Sequence, residues 1–354
     1  MSKFLSERYS GLKPYTPGEQ PRERKYLKLN TNESPFPPSP RAIELAAEES
    51  KRLLLYPDPN VTELTELMAE TLGVDKECVI MTNGSDEVLN FAFMAWCDEK
   101  SPALFADITY GFYKVFASLN RVPFEEIPLA SDFRISTRDY ESKEGTVFLA
   151  NPNAPTGIAL SLSEIERVVS SNPNRVVVVD EAYVDFGTES AVALTKIYKN
   201  LLVVGTFSKS RSMAGARLGY GVGSSELISD LVRIKYSTNP YNVNRMTAAA
   251  GVGALLDREY FIENCKKIQT AREWTKEALS ELGFEMTPSR ANFLFAKSDR
   301  IGGKELYLRL KDEGILVRHF DSPRISDYVR ITVGTIEQMQ TLVNTIKNFA
   351  EMKR

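Results

Sequence analysis

A lysine at position 209 follows Thr206 and Ser208 and precedes Arg217 by eight residues. Upstream, four valines run straight into Asp180, with Tyr183 three residues beyond it. An amine can condense with an aldehyde, hydroxyls with an arginine can hold a phosphate, and a carboxylate facing an aromatic nitrogen can keep it protonated. Each residue alone also admits a plainer role. Asp180 could cap the next turn, and Lys209 could be an ordinary solvated lysine. The NPNAPTG stretch (151–157) could be only a turn, Gly84-Ser85-Asp86 a helix N-cap, and Tyr110 a core ring.

Taken together, these residues meet the needs of one cofactor, pyridoxal 5′-phosphate. Lys209 offers the amine and Asp180 faces the ring nitrogen, so that the ring can act as an electron sink. Ser85, Thr206, Ser208 and Arg217 serve the phosphate, Tyr110 gives the ring a platform, and Tyr183 can reach the ring 3′-oxygen. The rest of the composition narrows the chemistry. The single histidine, His319, rules out HExxH and leaves too few histidines for a two-histidine zinc site, and any Ser-His-Asp or Cys-His centre would have to be built around it. No metal site is expected.

These residues need a scaffold that brings them to one edge. Short apolar strands are expected at 78–83, 102–107, 146–151, in RVVVVDEAY, at 201–208 and at 219–223. Helical segments lie between them, one opened by a Ser161–Glu164 capping box. Strands alternating with helices predict α/β architecture with a mostly parallel sheet, and ligands then bind beyond the strands' carboxyl ends. Past about residue 245 the pattern changes to one long helical stretch, short strands and a final helix, predicting a smaller α+β domain. The expected organisation is a proline-rich arm (1–40), a large α/β domain (41–245) and a small domain (246–354).

The 354 residues suit about two domains at roughly 150 residues each. With 44 basic and 47 acidic residues, the net charge of −3 offers no field for nucleic acid. The start has no apolar signal region, and there is no run of 18 apolar residues, so neither secretion nor membrane spanning is expected. Cys78, Cys97 and Cys265 are far apart among apolar neighbours and read as reduced core cysteines of a cytoplasmic protein. Neither GxxxxGK[ST] nor a complete GxGxxG occurs, and the N-terminal arm has no room for a DNA-binding module.

A series of motifs runs nearly end to end: LNTNESPFPPSP, YPDP, NGSDEVL, YGFY, NPNAPTG, VVVVDEAYVDF, TFSKSRSMAGARLGYGVG, ANFLFAK, ILVRHF and YVRITVGT. Through them the chain resembles the fold-type I pyridoxal-phosphate aminotransferases, and among these the histidinol-phosphate aminotransferase family. The resemblance implies ping-pong transamination between L-histidinol phosphate and 2-oxoglutarate in histidine biosynthesis, by way of pyridoxamine phosphate. Threonine-phosphate decarboxylase and aromatic amino acid aminotransferase are alternatives on the same fold.

The resemblance also implies roles. Lys209 would carry the cofactor and shuttle a proton, Asp180 would pair with the ring nitrogen, and Tyr183 would donate to the 3′-oxygen. Tyr110 would stack on the ring, while Ser85, Asp86 (largely through backbone amides), Thr206, Ser208 and Arg217 would hold the phosphate. Tyr56 matches a tyrosine that reaches the neighbouring subunit's cofactor phosphate, implying a homodimer with shared active sites. Arg330 matches a carboxylate-binding arginine, Arg318 and Tyr15 match substrate-phosphate positions, and Asn32 is a further substrate candidate. One departure stands out: the family's asparagine before Pro-Thr-Gly is Ala154 here, and Asn153 is expected to take its place at the site.

Overall fold

Strands covered on both faces must bury every residue, and the valine-rich runs do so. In the computed structural model, which describes residues 2–21 and 23–351, Val177 and Val179 face one apolar cluster and Val178 the opposite one. The expected arm and small domain each include residues outside the described ones: 1, 22 and 352–354. Full burial of a valine is worth roughly 1.5–3 kcal/mol, so a charge at Val178, which is 0% exposed, would undo that strand.

Strand β1 (Leu27–Lys28) lies in the N-terminal arm. The large sheet contains β2 (Val79–Thr82), β3 (Ala103–Ala106), β4 (Phe124–Ile127), β5 (Thr146–Ala150), β6 (Val177–Asp180), β7 (Leu201–Thr206) and β8 (Gly219–Val222). Their order is β2-β8-β7-β6-β5-β3-β4, and β8 alone runs against the rest. β4 (FEEI) escapes the sequence reading because it is an edge strand with exposed, charged residues and no apolar run. The helix Ser225–Thr238 is likewise not among the expected elements.

The second sheet is antiparallel. It contains β9 (Phe284–Met286) and β10 (Phe293–Ser298). β11 (Ile315–Leu316) follows and pairs with β1, after which β12 (Arg318–His319) and β13 (Tyr328–Thr332) complete the order β12-β13-β10-β9. A third apolar cluster fills the space between this sheet and its helices.

The long helical stretch divides at Asp257, whose carboxylate accepts a hydrogen bond from the Arg41 amide. The first part, Arg245–Leu256, packs on the helices Pro40–Ser50 and Thr62–Leu72 and joins the core of the large sheet. Gly253 permits this approach, since a Cβ there would overlap the backbone of Ala42. Residues 245–256 therefore pack with the large sheet, not with the small domain expected to begin at 246. Cys97 and Cys265 are buried and Cys78 is half-buried, and all three are free thiols. No described helix is long and apolar enough to cross a membrane.

Candidate active site

The register of the large sheet places Ala150 beside Asp180 and Asp180 beside Val204, so the ends of β5, β6 and β7 lie side by side. A cavity of ≈ 140 Å³ opens there, lined by Ser85, Asp86, Tyr110, Asp180, Tyr183, Thr206, Ser208, Lys209 and Arg217. The sequence singles out all nine.

At one end of the cavity the helix Ser85–Trp96 begins, presenting unpaired backbone amides and the positive end of its dipole. Gly84 enters that helix at φ +83°, and a Cβ there would stand 2.8 Å from the Arg217 guanidinium. Gly219 is confined more tightly, because a Cβ would overlap the Ser85 backbone nitrogen. Arg217 donates to Asp86 Oδ2 at 3.0 Å, and Tyr110 donates to Asp86 Oδ1 at 2.7 Å. Ser208 N donates to Thr206 Oγ1 at 3.1 Å, folding the loop after β7 into a cluster of hydroxyls. This end suits a phosphate.

At the floor, Asp180 is buried. Burial pushes its carboxyl up to about 6, opposed by hydrogen bonds from the Tyr113 hydroxyl and the Ala182 amide and by the Lys209 charge. No ion pair to Asp180 is found among the described residues. A buried carboxylate with no cationic partner suits a protonated ring nitrogen. Lys209 Nζ stands 5.8 Å from the centre of the Tyr183 ring and donates to the Thr31 carbonyl at 3.4 Å.

A second cavity of ≈ 460 Å³ shares Tyr110, Ala154, Tyr183 and Lys209 with the first, and adds Tyr15, Asn32, Arg318 and Arg330. Tyr15 stacks on Phe112 at 4.4 Å between ring centres. Arg318 donates to the carbonyls of Thr16 and Pro17. Arg330 is half-buried, and desolvation lowers its pKa; its NH2 donates to the Asn30 carbonyl at 3.0 Å. Its Nε has no partner among the described residues. Two arginines on the wall of one cavity suit it to an anionic ligand.

Three expectations need correction or completion. Asn153 lines neither cavity. Its Nδ2 donates to the Ile108 carbonyl and Thr156 Oγ1, and its Oδ1 accepts from Thr109, so the loop consumes the side chain and Ala154 faces the site. Asn32 lines the second cavity, yet its amide donates to the Tyr183 hydroxyl at 2.9 Å. Tyr56 also stands apart from both cavities, 78% exposed and stacked on Tyr241. The sequence reading overlooks Tyr113, although YGFY displays it three residues after Tyr110; it lies in the first turn of the helix Phe112–Asn120, with its ring edge-on to that of Tyr110.

The cavity therefore fits pyridoxal 5′-phosphate: an amine, a buried acid and a phosphate cradle line one small space. Together with the β/α scaffold, they define a fold-type I transferase. The chain matches the family model for aminotransferase class I and II over residues 24–346, and it belongs to that family. It is 47% identical over 349 residues to the histidinol-phosphate aminotransferase of Brachyspira hyodysenteriae, covering 98% of this chain and 99% of that protein. With the Marinomonas sp. histidinol-phosphate aminotransferase it shares 49% identity over 351 residues, covering 98% and 99% respectively. The histidinol-phosphate aminotransferase of Sinorhizobium meliloti, solved with pyridoxal-5′-phosphate, has the same fold, with a TM-score of 0.89 at 21% identity and 99% of both chains covered.

Proposed function

We propose that this aminotransferase moves the amino group of L-histidinol phosphate to 2-oxoglutarate, using pyridoxal 5′-phosphate held in the smaller cavity. The observation that carries the reading is the shared wall: Lys209 and Tyr183 border both the cofactor-sized cavity and the arginine-lined one. Relatives named for this activity, at 47–49% identity over nearly the whole chain, support the choice of substrate.

When bound, the cofactor supplies an electron sink for the pair left as a Cα–H bond breaks. Asp180 keeps the ring nitrogen protonated, its ionised form favoured by the positive charge it meets. Lys209 would hold the cofactor through Nζ, and once released the same nitrogen would accept the proton from the substrate Cα. Ser85, Thr206, Ser208 and Arg217 grip the phosphate, and Tyr110 covers the ring. Arg330 and Arg318 bind the anionic groups of either substrate, so one site can serve a phosphorylated amine and a dicarboxylate in turn.

The enzyme acts as a homodimer in which the partner subunit's Tyr56 completes the phosphate site. Exposed Leu53, Leu54 and Leu55 beside Tyr56, with Leu54 84% exposed, support a surface that a second copy covers. Three unpaired cysteines agree with a cytoplasmic setting.

The test is glutamate formation by purified protein from histidinol phosphate and 2-oxoglutarate, with threonine phosphate and phenylalanine as rivals. Brisk turnover of histidinol phosphate is expected. Carbon dioxide released from threonine phosphate, with no glutamate from histidinol phosphate, would reject the assignment. Sedimentation should give twice the chain mass, and a monomer would reject the shared site.

A further inference from the structure

Three consecutive residues of the N-terminal arm each engage a different member of the site. The Asn30 carbonyl accepts from Arg330, the Thr31 carbonyl from Lys209, and the Asn32 side chain donates to Tyr183. Asn32 is the most constrained of the three. It is buried, sits at φ +58°, and its carbonyl accepts from Asn292 Nδ2 at 3.0 Å. Its backbone amide donates to Thr332 Oγ1 at 2.9 Å, and that hydroxyl returns its own hydrogen to Asn32 Oδ1 at 3.0 Å. The Thr332 hydrogen fixes Oδ1 on its own side, so Nδ2 must face Tyr183.

This direction has a consequence for Tyr183. A phenol that accepts from Nδ2 keeps its one hydrogen for another partner, and no acceptor for it is found among the described residues. Tyr183 borders both cavities, while Ala154, which also lines both, brings only a methyl group. We propose that Asn32 is a positioning residue: by donating to Tyr183, and locked by Thr332, it makes Tyr183 an obligatory donor into the cofactor cavity. Its amide acts on the tyrosine rather than on substrate.

This inference rests on pyridoxal phosphate occupying the smaller cavity. A donor aimed at the ring 3′-oxygen favours the deprotonated, anionic chromophore, so it lowers the pH at which the visible band of the holoenzyme changes. The other charges that bear on Tyr183 are Lys209, with Glu33 near it, and Arg330, with Asp180 and Arg217 across the cavity. All of them stay in place in the variants below.

The experiment titrates the visible absorbance of holoenzymes against pH. Asn32→Asp keeps the shape and tolerates the left-handed backbone, yet it accepts where Asn32 donates. The Tyr183 hydrogen turns to it, and the cavity loses a donor and gains negative charge. The midpoint should rise by about one pH unit, roughly tenfold in proton affinity. Thr332→Val, which releases the lock, should raise it by less, and Thr332→Ser should restore the parent value. A folded Asn32→Asp variant with an unchanged midpoint overturns the proposal. If that variant does not fold, an unchanged midpoint in Thr332→Val overturns it instead. Parent protein that develops no visible band with pyridoxal phosphate would be a different result, rejecting the cofactor assignment itself.

Discussion

The Tyr113 hydroxyl lies 3.0 Å from Oδ2 of Asp180, and both residues are buried. The hydrogen bond partly offsets the burial that pushes the carboxyl up to about 6. Tyr113→Phe should raise that value further and leave less carboxylate at neutral pH. With a hydrogen bond to a charged group worth about 1.5–3 kcal/mol, the cofactor Kd should rise roughly tenfold or more. Fluorescence titration of apoprotein with pyridoxal phosphate reads this directly, and an unchanged Kd would separate Tyr113 from the site.

Gly219 carries a second prediction, from space rather than charge. A methyl group there overlaps Ser85 N at the start of the phosphate-facing helix. Gly219→Ala should force β8 and that helix apart. Cofactor affinity should fall at least tenfold, about 1.4 kcal/mol or more, while the melting temperature of the apoprotein changes less than that of the holoenzyme.

Glu181, next to the site acid, gives a pH dependence. Burial pushes its carboxyl up to about 8, although Ser190 and Ala191 both donate to it. A carboxyl with a raised folded-state pKa binds more protons folded than unfolded, so it costs stability as pH rises from about 4.5 to 8. Apoprotein melting temperature should decline across that window. Glu181→Gln, which mimics the neutral acid, should flatten the decline. An equally steep fall in the variant would show that other groups govern it.

Arg330 should separate substrate binding from cofactor binding. The guanidinium is planar and half-buried, with one nitrogen already on the Asn30 carbonyl and Nε buried without a partner among the described residues. Arg330→Lys keeps a charge and loses the fork, so KM for 2-oxoglutarate should rise at least tenfold. The absorbance spectrum and cofactor Kd should not move. Equal losses in both would place Arg330 in the cofactor site instead.

Much of this was legible in the sequence because the chemistry sits at strand ends. Apolar runs locate β5, β6 and β7, and the polar residues that close them meet along one edge once the strands pair in parallel. Side-chain direction was not legible. Nothing local tells that Asn153 spends its amide on the Ile108 carbonyl, or that Asn32 turns toward Tyr183, since those partners lie 45 and 151 residues away. Nor does helical periodicity reveal the break at Asp257, whose carboxylate is engaged by the distant amide of residue 41. The edge strand β4 was hidden for the opposite reason, since water covers the face that an apolar pattern would mark.

The reversed strand β8 has an effect of its own. Thr206 ends β7 and Gly219 begins β8, so the intervening hairpin carries both the amine at 209 and the guanidinium at 217. The two groups proposed to hold the cofactor, one at its aldehyde carbon and one at its phosphate, thus ride on one short excursion of the backbone. If that excursion frays, both anchors leave together. Conversely, a molecule held by both staples the excursion shut, and a protease should cut there far faster in the empty enzyme than in the loaded one.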